Sequence, residues 1–174
     1  MDFEAGMSAS GRNPWPIVAY EVDMLERLEA PTRWRGAFRN AITESRVLHA
    51  RQLCDIFLSR GRWSDDIVLA HLIPYWKDLP GLRKLIEGLE NEYGTRKITG
   101  SPCWTFNKKM AHATFERTDS YNYEGALGAV CPTLKLIAAE IESLIGERLE
   151  RGLRREGWHI FLFSQTAITT ESKI

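Results

Sequence analysis

Two long segments of the chain repeat their apolar residues every three to four positions, which is the spacing of an α-helix. The first covers about residues 35–59 and contains no proline, and the second covers about residues 123–152. In the second segment we expect a bend near Gly128 and Pro132. A stripe of this period buries one face of a helix against another element. Two such long helices therefore require further helices to cover them.

Shorter segments with helical spacing supply these partners. The first three end at a proline or glycine and the fourth ends at a polar break, residues 117–122. Ser64-Asp65-Asp66 is the predicted N-cap of the shortest one. The predicted short helices cover residues 14–30, 67–73, 80–94 and 104–116. No window alternates apolar and polar residues for long enough to form a sheet. The pattern therefore predicts an all-α fold, an up-and-down bundle of about four or five helices with two long helices.

The domain organisation follows from the same pattern. Residues 1–13 are rich in glycine, serine and alanine, so we predict a flexible N-terminal lead-in. Residues 14–157 are predicted to form a single helical bundle domain, since one domain accounts for a chain of 174 residues. The pattern does not assign a structure to the C-terminal tail, residues 158–174.

Charge and cysteine content limit the classes of function. The chain has 23 basic and 23 acidic residues, so a partner attracted by charge must meet a local patch. The cysteines, Cys54, Cys103 and Cys131, lack C-x-x-C spacing, which favours unpaired buried thiols in a reducing cytoplasm. The sequence shows neither a membrane-spanning run nor a signal peptide. We therefore predict a cytoplasmic protein without membrane partner, metal or cofactor.

The first long helix carries polar residues on two faces. Helical projection places His49 on the apolar face, so we predict that it is buried. Glu44, Arg51 and Asp55 form a polar stripe on the opposite side. That stripe is either a solvated face with weak ion pairs or a polar seam at a cleft or dimer interface. Arg46 projects toward the apolar side, where a buried charge requires a carboxylate partner.

Two segments of the chain resemble a known group of helical proteins. Residues 44–57 read ESRVLHARQLCDIF and residues 106–117 read FNKKMAHATFER. They resemble HEPN-like bacterial proteins, in which a helix of the form E-x-x-x-L-H-A-R-N-L-x-D-F is followed by one of the form N-K-x-x-A-H-L-T-x-x-R. The resemblance implies a bundle of four to five helices, frequent dimerisation and, in active members, metal-independent RNA cleavage in toxin–antitoxin or phage-defence systems.

The family resemblance also implies roles for individual residues. The nuclease motif of the family, an arginine, a polar residue and a later histidine, corresponds here to Phe106, Asn107 and His112. His112 is the implied acid or base, and Asn107 and Arg51 are implied to position phosphate. Beyond the resemblance, Lys108, Lys109 and Arg117, or Arg51, are candidate sources of the positive charge that binds the substrate. Glu44, His49 and Asp55 are the predicted supporting residues.

Phenylalanine at position 106 replaces the arginine of the family motif, so we expect ribonuclease activity to be weak or lost. The predicted function is binding of RNA or of a cognate protein such as an antitoxin, by a homodimer. The alternative is a noncatalytic protein–protein interaction module, in which His112 is a structural histidine. The chain has six tryptophans, mostly near predicted helix ends, which favours packing anchors over stacking with bases.

Overall fold

The computed structural model describes residues 13–29, 37–110 and 123–156. Within these ranges the chain is helical and holds no β-strand, which confirms the all-α class. A single 3₁₀ turn, Trp76–Asp78, precedes the fourth α-helix. The α-helices are α1 (Trp15–Arg27), α2 (Ala37–Phe57), α3 (Leu69–Leu72), α4 (Pro80–Tyr93), α5 (Pro102–Met110) and α6 (Tyr123–Glu156).

The predicted helices correspond to the observed ones, with shifted ends. Helix α4 ends where predicted, because Gly94 adopts a φ of +66° that favours glycine. Helix α6 continues through Pro132 and past Gly152. Residues 111–122 lie outside the described ranges, so the predicted end of α5 and the polar break after it stay predictions. The predicted lead-in and tail also lie outside the described ranges, apart from Asn13.

The predicted N-cap at Ser64 is wrong. Helix α3 begins only at Leu69, after an extended Val68. The carboxylate of Asp66 instead accepts hydrogen bonds from the backbone N–H groups of Arg62 and Trp63, at 2.6 and 2.9 Å. These contacts fold the preceding residues into a local turn, so the carboxylate closes a loop instead of starting a helix.

Helix α2 is central to the core, because it packs against α1, α4 and α5. The apolar stripe predicted for α6 is also buried along its first half. The two helices contribute, among others, the buried side chains Val47, Leu53, Phe57, Leu127, Val130, Leu134, Ile137 and Ile141. Contacts divide the chain into a unit that ends at Ile141 and a second that begins at Glu142, within α6. The predicted domain limits, residues 14–157, stay a prediction.

Charged side chains connect helices within the first unit. Nη1 of Arg46 lies 2.8 Å from Oε2 of Glu124, so this arginine of the apolar side has a carboxylate partner. Lys135 pairs with Glu29, which follows α1. These contacts join α6 to α2 and to the end of α1. None of the helices in the described ranges has the length and apolar character needed to span a membrane.

The cysteine thiols are shielded from reagents. Cys54, Cys103 and Cys131 are free and buried. Burial raises the pKa of Cys54 well above its usual value and that of Cys131 to about 11. We expect all three thiols to react slowly with Ellman's reagent in the native protein and all three to react at once in denaturant. If one full equivalent of thiol in the native protein reacts while the reagent is being mixed in, that thiol is accessible and this prediction is wrong.

Candidate functional site

A cleft with a volume of about 890 Å³ opens beside the C-terminal half of α2. The loop after α2, the loop between α4 and α5, and the start of α5 form its other walls. Four arginines line it, and we call it the arginine cleft. Its lining comprises Ile17, Arg51, Gln52, Asp55, Ile56, Arg60, Gly61, Arg62, Trp63, Asp65, Asp66, Ile67, Arg96, Trp104 and Asn107.

The loop after α2 is shaped by a glycine and an aspartate. A Cβ atom on Gly61 would lie only 2.8 Å from Cβ of Asp66, so this close turn requires glycine. The backbone hydrogen bonds that Asp66 accepts from Arg62 and Trp63 lower the pKa of its carboxyl. The turn leaves the Trp63 side chain 76% exposed at the edge of the cleft.

The loop between α4 and α5 is held by a serine. The hydroxyl of Ser101 donates to the carbonyl oxygen of Thr95 at 2.8 Å and accepts from the backbone N–H of Trp104 at 3.1 Å. The first contact closes the loop and the second satisfies a free N–H group at the start of α5. The closed loop positions Arg96 at the cleft.

Arg60 is committed to the protein interior. Its Nη2 donates to the carbonyl oxygen of Gly94 at 3.1 Å, and its Nη1 donates to Sγ of Cys103 at 3.3 Å. The guanidinium also lies 4.9 Å from the centre of the Tyr93 ring. Arg60 thus ties the end of α2 to α4 and α5, and it leaves ligand contacts to the other arginines of the cleft.

Three arginines remain for such contacts. Arg62 and Arg96 are exposed, and neither side chain makes a hydrogen bond or ion pair with another residue that the structure describes. Arg51 is half-buried, and its Nε lies 3.7 Å from Oδ2 of Asp55. Burial raises the pKa of the Asp55 carboxyl, although all four arginines of the cleft act in the opposite direction. Asp55 is therefore a carboxylate within a predominantly cationic wall.

The structure brings together part of the predicted site. Arg51, Asp55 and Asn107 line the same cleft. Asn107 is buried, with 9% of its surface exposed, and its Nδ2 donates to the carbonyl oxygen of Cys103 at 2.8 Å. Glu44 is exposed and lies outside the lining. Two of the three residues of the polar stripe, Arg51 and Asp55, therefore border the cleft.

His49 is buried, as predicted, and it does not line the cleft. Its Nδ1 lies 2.6 Å from Oε2 of Glu21 in α1, and both side chains are less than a tenth exposed. The ring of Tyr20 meets the imidazole edge-on, with 6.0 Å between ring centres. His49 is therefore a contact between α1 and α2.

The remaining predicted residues lie outside what the structure describes. His112 and Arg117 belong to residues 111–122, and the side chains of Lys108 and Lys109 are also outside the description. Phe106, where the family motif has arginine, is fully buried and packs on Tyr93, with 6.0 Å between ring centres. Position 106 thus belongs to the core, while the next residue, Asn107, reaches the cleft.

Sequence reasoning missed Arg62, Trp63 and Arg96 as site residues. The prediction that the tryptophans serve as packing anchors is wrong for Trp63, whose indole is largely in solvent. The run Arg60-Gly61-Arg62-Trp63 contained a usable signal, since basic residues interleaved with an aromatic one are typical of nucleic-acid contacts. Arg96 carried no such signal, because the fold alone brings its loop to this cleft.

Among the described residues, no group of three or more histidine, cysteine, aspartate or glutamate side chains is arranged to hold a metal ion. Comparison of the chain with protein-family models, curated proteins and solved structures finds no match.

Proposed function

We propose that the arginine cleft binds single-stranded RNA. The observation that carries the proposal is the convergence of Arg51, Arg62 and Arg96 with an exposed Trp63 in one cleft of a chain without net charge. Arginine presents a planar fork of donors to phosphate oxygens. Two of these guanidinium groups, those of Arg62 and Arg96, make no hydrogen bond or ion pair with another described residue, so phosphate binding breaks no such contact within the described part of the chain.

The tryptophans favour a nucleic acid over a simple anion. Trp63 is exposed at the rim, and Trp104 forms part of the wall. Stacking of a base on an aromatic ring contributes roughly 1–3 kcal/mol, and it requires a base that is free of a duplex. A cationic wall beside the exposed indole of Trp63 therefore suits an unpaired strand.

The resemblance to HEPN-like proteins supports RNA as the nucleic acid. It rests on residues 44–57 and 106–117, and its implied phosphate-positioning residues Arg51 and Asn107 both line the cleft. Ribonuclease activity with His112 as the acid or base, the homodimer, the antitoxin partner and the cytoplasmic location stay predictions from the sequence.

Replacing both free arginines tests the proposal. We expect Arg62→Gln/Arg96→Gln to weaken binding of a fluorescein-labelled oligouridine of about 12 nucleotides by roughly tenfold or more, measured by fluorescence anisotropy. Each phosphate contact that is removed lowers the number of counterions released on binding. The slope of the logarithm of the association constant against the logarithm of the salt concentration should therefore become shallower by about 1.4. Trp63→Ala should weaken binding by at least about fivefold without changing that slope.

A matched control removes the same charge elsewhere. Arg83 and Lys84 are exposed on α4 and lie outside the cleft lining, so Arg83→Gln/Lys84→Gln should bind the RNA as the wild type does. Equal loss in both double variants would indicate nonspecific attraction by net charge. Absence of RNA binding by the folded wild type would refute the proposal and favour the protein–protein interaction module.

A further inference from the structure

Asp55 is an unexpected residue for the wall of an anion-binding cleft. It lies on α2 among four arginines, and its side chain is 34% exposed. Its nearest described cation, Nε of Arg51, is 3.7 Å away, beyond hydrogen-bonding distance. Among the described residues, the Asp55 carboxylate therefore accepts no hydrogen bond, and Asp55 belongs to the lining of the cleft.

The other acidic residues of the cleft differ from Asp55. Asp66 is occupied by two backbone N–H groups of its own loop. Asp65 is exposed, and its side chain makes no hydrogen bond or ion pair with another described residue. Asp55 differs from Asp65 in its partial burial, and it differs from Asp66 because neither of its carboxylate oxygens accepts a hydrogen bond from a described residue. A carboxylate in that position repels phosphate, so a bound ligand must present a hydrogen-bond donor to it.

A nucleotide carries two kinds of donor, ribose hydroxyls and base N–H groups. Contacts by arginines and tryptophans do not depend on base identity, so a donor that occurs in every nucleotide matches the rest of the cleft. The 2′-hydroxyl is such a donor, and it distinguishes RNA from DNA. On the basis of the proposed function, we infer that Asp55 is a specificity residue that accepts a hydrogen bond from a ribose 2′-hydroxyl.

The inference predicts opposite effects of one substitution on two ligands. Asp55→Ala removes an acceptor that only RNA uses and a negative charge that repels both backbones. We expect wild type to bind oligouridine roughly tenfold more tightly than oligodeoxyuridine of the same length. In Asp55→Ala the affinity for the DNA rises, the affinity for the RNA falls, and the ratio approaches one. Anisotropy titrations with both oligonucleotides measure the two affinities.

Two further variants separate the hydrogen bond from charge. Asp65→Ala removes one negative charge from the same cleft. It should therefore raise the affinities for RNA and DNA by the same factor and leave the ratio of the two affinities unchanged. Asp55→Asn keeps an acceptor oxygen, so it should retain part of the RNA preference. Circular dichroism verifies that each variant is folded, and the Asn variant remains informative if the Ala variant is not.

The outcomes distinguish the inference from the proposed function. If wild type binds RNA and DNA equally, or if the ratio is unchanged in both Asp55 variants, the cleft binds nucleic acid and Asp55 does not read the hydroxyl. If the protein prefers RNA in the uridine pair but binds oligoadenosine and oligodeoxyadenosine with equal affinity, the preference depends on the base. That result would overturn the inference in favour of base recognition. Absence of binding to all four oligonucleotides would refute the proposed function itself.

Discussion

Glu21→Ala is expected to lower the free energy of unfolding by about 3 kcal/mol, although it removes a single contact between two helices. Glu21 and His49 are almost fully buried, and Nδ1 of His49 lies 2.6 Å from the Glu21 carboxylate. Removal of the carboxylate leaves a buried imidazole N–H group without its acceptor, and that cost exceeds the value of an ordinary hydrogen bond. For a chain of this length the melting temperature should fall by roughly 6–12 °C.

A double-mutant cycle tests whether the two side chains act as a pair. His49→Leu alone leaves the Glu21 carboxylate buried without its partner. It should therefore lower the free energy of unfolding about as much as Glu21→Ala does. The double variant Glu21→Met/His49→Leu replaces both by apolar groups, and we expect it to be more stable than either single variant. Glu21→Gln keeps an acceptor oxygen and should cost less than Glu21→Ala. Urea unfolding followed by tryptophan fluorescence provides the free energies. Additive effects would show that the contact is not coupled.

The sequence predicted this pair only in part. Periodicity placed His49 on the buried face of α2, and burial is confirmed. Its partner was readable by the same rule, because Glu21 follows the buried Val18 by three positions and precedes the buried Leu25 by four. Periodicity states which face a residue occupies, but it does not state which buried residue on another helix it meets. The contact between positions 21 and 49 therefore required the structure.

The cleft was less predictable than the helices. Helical spacing determines α2, α4 and the buried stripe of α6, since each depends on residues close in sequence. The cleft instead depends on two loops, whose shapes follow from Gly61, Asp66, Gly94 and Ser101. Asp66 had two available roles, as a helix cap or as a loop contact, and local sequence does not choose between them. The position of Arg62 follows from that choice, and the position of Arg96 follows from the loop that Ser101 closes.

Phe106→Arg, which introduces the arginine that the HEPN-like nuclease motif has at this position, is expected to destabilise the protein rather than to create a ribonuclease. The Phe106 side chain is fully buried against Tyr93, and the guanidinium of Arg60 already lies 4.9 Å from the centre of that tyrosine ring. An arginine at position 106 loses the packing of the ring and buries a second positive charge near the first.

We expect Phe106→Arg to lower the free energy of unfolding by roughly 4 kcal/mol or more, which corresponds to a fall of about 8–16 °C in melting temperature. Phe106→Leu keeps an apolar side chain and should cost about 1–1.5 kcal/mol, so it measures the packing contribution alone. Both variants are compared with wild type by thermal unfolding and by incubation with labelled RNA in EDTA. If Phe106→Arg unfolds at the wild-type temperature and cleaves RNA, position 106 faces the ligand and its assignment to the core is wrong. If the variant is destabilised as expected, the arginine of the HEPN-like nuclease motif is incompatible with the core at position 106.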